Sequence, residues 1–104
     1  MALDLAADEQ DRPLGAAVIT PVGTFPGETE YQRVYPNDRI SSILVLAANK
    51  FALTNTADWV AHVADRQINT ERTFREEGLL CVVDIEWHKP EGGGGARYAF
   101  PAQV

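Results

Sequence analysis

The sequence is poor in lysine, cysteine and long apolar runs, and each shortage removes a class of function. Lys50 and Lys89 are the only lysines; nine lysines and arginines face fifteen aspartates and glutamates over 104 residues, for a formal net charge of -6. There is no basic cluster, which argues against nucleic acid as a partner because phosphate binding needs a basic face. No apolar run approaches the ~20 residues that cross a bilayer, so no membrane association is expected. The opening stretch MALDLAADEQDRP is acidic and lacks the basic and apolar regions of a secretory signal. A single cysteine, Cys81, cannot close an internal disulfide, so the expected compartment is a reducing cytoplasm. No C-x-x-C or H-x-x-x-H pair occurs, and Cys81 and His88 are seven apart on one strand and point to opposite faces, so neither metal nor cofactor is expected. Cys81 reads as a small buried hydrophobe.

What remains fits one small domain with a single core. Residues 1–13 are polar, acidic and aperiodic, and are expected to form a disordered arm. From Leu14, AAVITPV and PGETEYQRVYP are two β-rich segments arranged as a hairpin around Pro26 and Gly27. Pro21 lacks a ladder donor, so the first strand ends or bulges there. The second segment does not fix a face, since Tyr31 and Tyr35 alternate with Gln32 and Val34.

NDRISSILVLAANKF predicts a helix capped by Asn37 or Asp38, with Ile40, Ile43, Leu44, Ala47, Ala48 and Phe51 on one stripe. Val45 and Leu46 lie off that stripe and either widen the buried face or mark a flank for self-association, for which an exposed edge strand is another route. A short strand follows from Trp59 to Val63 with a turn near Asp65. NTERTFREEG looks irregular, and its carboxylates Glu71, Glu76 and Glu77 read as a solvated face. In LLCVVDIEWH, residues Cys81, Val83, Ile85 and Trp87 alternate with Val82, Asp84, Glu86 and His88, the pattern of a half-buried strand.

A hairpin, one helix on one face and later strands make an α+β architecture. Joining the first and last strands as parallel neighbours gives a β-grasp layout, a mixed sheet with one main helix. Val34-Tyr35-Pro36-Asn37-Asp38-Arg39-Ile40-Ser41-Ser42-Ile43 resembles the V-E-P-S-D-x-I-x-x-V passage of ubiquitin-like proteins. Ala64-Asp65-Arg66-Gln67-Ile68-Asn69-Thr70-Glu71-Arg72-Thr73-Phe74 is similar to the A-G-K-Q-L-E-D-G-R-T-L of ubiquitin. The last strand then runs into Gly92, Gly93, Gly94 and Gly95. These residues place a ubiquitin-like domain at 14–91, a glycine tail at 92–95 and an extension at 96–104, and the whole is similar to bacterial ubiquitin-like modifier precursors.

The resemblance implies a substrate of enzymes rather than an enzyme. An activating enzyme would adenylate the terminal glycine carboxylate and a conjugating enzyme would deliver the acyl group to target proteins. Glycines allow the tail to thread narrow channels where a Cβ would clash. Because ARYAFPAQV follows Gly95, a JAB-type metallopeptidase homologue would first cut the Gly95–Ala96 bond. Two other readings carry the same fold: a sulfur carrier with a terminal thiocarboxylate, and an interaction module whose glycines are a slack linker. The glycine run is not a phosphate loop, as no Lys-Ser/Thr follows it.

Ubiquitin meets partners through its third and last strands, which implies a partner-binding surface here of His62, Arg66, Val82, Asp84, Glu86 and His88. That surface is polar and acidic, so ordinary ubiquitin readers are expected to pass it by. Glu91 precedes the glycines where ubiquitin has arginine, which an activating enzyme built for a basic tail should reject. Arg66 stands where ubiquitin has a chain-linking lysine and cannot accept an acyl group. Lys50 matches a family helix lysine and reads as solvated.

Overall fold

The computed structural model describes residues 12–90. Most of the expected arm (1–11), Glu91, the glycine run and the extension 96–104 lie outside them. In chain order the elements are β1 (Leu14–Thr20), β2 (Gly23–Phe25), β3 (Gln32–Val34), α1 (Ile40–Phe51), β4 (Val60–Val63), β5 (Arg66–Ile68) and β6 (Val82–His88). They form one mixed sheet in the order β2-β1-β6-β4-β5, with β3 also on β1. β1 and β6 run parallel at its centre, Ala16 beside Val83 and Val18 beside Ile85, and every other pairing is antiparallel.

The first hairpin turns earlier than the sequence suggests, at Pro21 and Val22 rather than at Pro26 and Gly27. Thr20 closes it: its hydroxyl oxygen accepts the N–H groups of Val22 and Gly23 and donates to the Gly23 carbonyl at 2.8 Å. This satisfies the side chain of Thr20, the one buried polar residue among the described residues. Gly23 then passes under the helix, where an added Cβ would lie 3.0 Å from the Phe51 ring.

The strand facing β1 is also split. Ala16 pairs with Gln32 and Val18 with Phe25, so two steps along β1 match seven along its partner and five residues are looped out. Lys50 braces this excursion by donating from Nζ to the Pro26 carbonyl at 2.6 Å, so it is tethered rather than freely solvated. The β4–β5 turn places Ala64 and Asp65 at φ 52° and 67°, the geometry of a tight two-residue hairpin. β5, only three residues long, gives no periodic signal in the sequence.

Helix α1 buries Ile40, Ile43, Leu44 and Ala47 of the predicted stripe, half-buries its Ala48 and Phe51, and leaves Val45 and Leu46 exposed. Its N-terminus departs from expectation. Arg39 holds the cap position without a side-chain bond, and Asp38 instead accepts the Tyr35 N–H at 2.9 Å, closing the preceding turn. The free N–H groups of Ile40 and Ser41 go to the carbonyls of Arg72 and Thr70, at 3.0 and 2.8 Å. Residues 70–79 are thereby laid against the helix start, and Phe74 N–H and Arg75 N–H return bonds to Asp38 and Pro36.

This irregular segment carries Phe74, fully buried, and Leu79 into the core beside Val18, Val83, Ile85 and Trp87. Of its three carboxylates Glu71 and Glu76 are exposed, as expected of a solvated face, and Glu77 departs from that reading. Glu76 and Thr73 exchange side-chain and backbone bonds at 3.0 Å as a capping box. Glu77, its side chain only 6% exposed, is held by Arg66 at 3.0 Å and Arg72 at 3.1 Å.

Cys81 is exposed rather than buried. Its φ of 65° breaks the alternation one residue before β6 begins, while its carbonyl accepts the Gly15 N–H at 2.8 Å.

Three substitutions test this account by urea denaturation. Ala52 ends α1 in the left-handed region at φ 53°, so Ala52→Gly should raise stability by about 0.5–1 kcal/mol. Glu77→Ala should cost about 1–3 kcal/mol by removing the charge-assisted hydrogen bonds that Arg66 and Arg72 make to its carboxylate. Glu71→Ala, which loses a 3.7 Å pair between exposed side chains, should stay within about 0.5 kcal/mol.

Candidate functional site: the outer face of the sheet

With α1 on one face of the sheet, the alternation of β6 decides what the other face presents. Val83, Ile85 and Trp87 point to the core; Val82, Asp84, Glu86 and His88 point away from it. Register extends the outer row sideways. His62 on β4 lies opposite Glu86, Val60 opposite His88, and Gln67 on β5 opposite His62. Five of the six expected surface residues are therefore on one face.

Arg66 is the exception. It pairs with Val63, two steps from the Ala61–Ile68 pair that enters the core, so its side chain leaves on the helix side. There it meets Glu77 through both a carboxylate oxygen and the backbone carbonyl, at 3.0 and 2.9 Å. The period of two along β5 assigns Gln67 to the outer face in its place.

The imidazoles of His62 and His88 stack with centroids 5.8 Å apart and planes 14° apart. The Lys89 carbonyl lies 2.7 Å from His88 Nδ1. A carbonyl only accepts, so Nδ1 carries the proton and Nε2 is the acceptor of the neutral ring. Beside the pair is an open depression of about 420 Å³, bordered by Asp65, Gln67, Glu86 and Pro90 as well as the two histidines. Among the described residues no group of three or more His, Cys, Asp or Glu side chains is arranged to hold a metal ion.

Tyr31 belongs to this face and was not anticipated from the sequence. The looped-out residues carry it over β1, where a Cβ on Gly15 would stand 3.0 Å from the Tyr31 Cβ. Its hydroxyl donates to Asp84. That hydrogen bond first, then the Asp84 charge and partial desolvation, raise the Tyr31 pKa above its ordinary 10.0. A hint is present in the sequence, since Gly15 interrupts an otherwise side-chain-bearing strand, but only the backbone path of 26–31 identifies its neighbour.

The sign of the pH effect follows from linkage. The folded-state pKa lies above the unfolded one, so the stabilisation is complete below about pH 10 and is lost as pH rises through the folded value. Absorbance titration of the three tyrosines at 295 nm should show one late component. Tyr31→Phe should remove that component, and Asp84→Asn should return it toward the others.

The sequence matches no protein-family model, and no curated protein is found similar to it. Solved structures do match. The ubiquitin of Caldiarchaeum subterraneum superposes with a TM-score of 0.58 at 14% identity, covering 80% of this chain and 100% of that one. A de novo designed protein based on ubiquitin gives 0.58 at 17% identity, over 80% of this chain and 95% of the design. The solution structure of an N-terminal ubiquitin-like domain gives 0.55 at 11%, over 85% of each. At these identities the likeness is one of fold. Mixed sheet, central parallel pair, single packed helix and superposition agree: the chain has the ubiquitin-like β-grasp fold.

Proposed function

We infer that the chain is a cytoplasmic ubiquitin-like protein modifier precursor, of the kind found in bacterial ubiquitination-like systems. It is processed after its glycine run and conjugated through the exposed glycine carboxylate. The observation that supports this reading is the position of the glycines. β6 lies between β1 and β4 in the sheet and ends at His88, and only Lys89, Pro90 and Glu91 separate it from Gly92. A tail rooted in a strand paired on both sides has a fixed base and a sterically bare tip, which is what an enzyme channel requires of an acyl donor.

In this scheme a JAB-type metallopeptidase homologue hydrolyses the Gly95–Ala96 bond and releases ARYAFPAQV. An activating enzyme then joins the new carboxylate to the nucleotide part of ATP with loss of pyrophosphate. A nucleophile on that enzyme displaces the nucleotide, and a conjugating enzyme passes the acyl group to a target protein. The outer face carrying His62, Val82, Asp84, Glu86 and His88 is the surface by which these partners hold the domain. Its carboxylates and imidazoles favour partners distinct from readers of an apolar face. The tethering of Lys50 to Pro26 and the arginine at position 66 both disfavour chains built on this domain.

Intact-mass measurement tests the scheme on the full chain, incubated with the peptidase and activating-enzyme homologues encoded beside it and ATP. Loss of residues 96–104, followed by an adduct on an enzyme nucleophile, is expected. Gain of one sulfur at the terminus would mark a carrier instead, and an unchanged mass would leave an interaction module. Replacing Gly94 and Gly95 together by Ala should abolish the adduct while leaving the urea midpoint unchanged.

A further inference from the structure

We propose that His88 is a positioning residue for the glycine tail: with Pro90 it directs the chain off the end of β6 and onto the outer face of the sheet. This role rests on the processing scheme above, because it governs where the scissile bond is delivered.

The base of the tail is β6, which pairs with β1 and β4 on its two sides and ends at His88. Among the described residues no strand pairing continues beyond His88, yet the next two residues are restrained in another way. The His88 side chain lies on the outer face, and its Nδ1–H donates to the Lys89 carbonyl at 2.7 Å. That bond draws the Lys89–Pro90 peptide toward the imidazole and hence toward the outer face. The ring is itself braced, since it stacks on His62 of β4 with centroids 5.8 Å apart. Pro90 completes the restraint. Its ring fixes its own φ and disfavours helical backbone at Lys89. It also borders the outer-face depression together with Val60, His62, Glu86 and His88. The chain therefore leaves the domain over the histidine-bearing half of the outer face, and not over the helix side.

Chain length turns this direction into a constraint on an enzyme. Glu91 to Gly95 add five residues, which reach at most about 17 Å from Pro90. An enzyme that holds the outer face must bring its reacting groups within that radius. A root that already points across the held face shortens the orientational search before the bond is cut. His88 does this without touching the reacting atoms.

Two measurements on the full, uncleaved chain test the proposal. A long-range 1H–15N correlation spectrum, recorded with the ring neutral, should show His88 as the Nδ1–H tautomer. The Nε2–H tautomer would overturn the proposal. Release of residues 96–104 by the peptidase homologue is then followed by intact mass, with kcat and KM determined. His88→Phe keeps a flat ring beside His62 but has no donor, and should lower kcat about fivefold at unchanged KM. His88→Asn, whose amide N–H stands in for Nδ1–H, should restore kcat. Pro90→Gly should lower kcat while leaving the His88 tautomer as it was. A raised KM at unchanged kcat would make His88 a docking contact and overturn the positioning role. So would an unaltered kcat in His88→Phe, or no recovery in His88→Asn. These outcomes leave the processing scheme intact, whereas no cleavage of the unsubstituted chain would overturn that scheme and this role with it.

Discussion

The domain depends on how the first turn of α1 satisfies its backbone. A helix begins with N–H groups that have no partner within it, and here the side chains that precede the helix do not supply one. The carbonyls of Thr70 and Arg72 do, thirty residues further along the chain. That requirement draws an irregular segment against the helix start. Once there, the same segment seats Phe74 in the core and turns back through Leu79 toward β6. Glu77, largely buried and held by Arg66 and Arg72, ties the segment to β5 as well. Caps, core and last strand are thus parts of one arrangement rather than separate sources of stability.

Charge is divided between the two sides of the sheet by the same arrangement. Arg66 of β5 and Arg72 are spent on the largely buried Glu77 carboxylate. Asp84 and Glu86 of β6 point to the other side. A net charge of -6 therefore becomes a directed property: an acidic face beside the strand that leads to the glycines. Tyr31 borders this face from β1. It reaches there because five residues are looped out of the edge strand, and its bond to Asp84 divides the outer surface into a tyrosine-covered half and a histidine-bearing half.

The two passages that made the ubiquitin-like fold legible, Val34 to Ile43 and Ala64 to Phe74, prove to be the two halves of a single contact. Pro36, Asp38 and Ile40 in the first exchange backbone bonds with Arg75, Phe74 and Arg72 in or just after the second, and Arg39 bridges Thr73. Such motifs recur within a fold where backbone groups must meet, because a proline, a capping turn or a buried aromatic has few substitutes there. The β6 alternation and the helix stripe were legible for a simpler reason: burial against one face imposes a period of two or of 3.6 on the residues themselves.

What the sequence by itself determined was therefore periodic or local: one helix, a half-buried last strand, the outward row of Val82, Asp84, Glu86 and His88, and a glycine run after it. Tertiary structure decided the rest. The hairpin turn fell at Pro21 because Thr20 could close it, and Asp38 gave up the helix cap to a nearer N–H. Cys81 came to the surface through a left-handed backbone, and Glu77 went inside because two arginines met it there. Arg66 left the outer face, and Tyr31 joined it. Each of these outcomes depends on a partner distant in sequence or on a one-residue shift in register. Local pattern encodes neither, since the same side chains satisfy either arrangement until the chain folds.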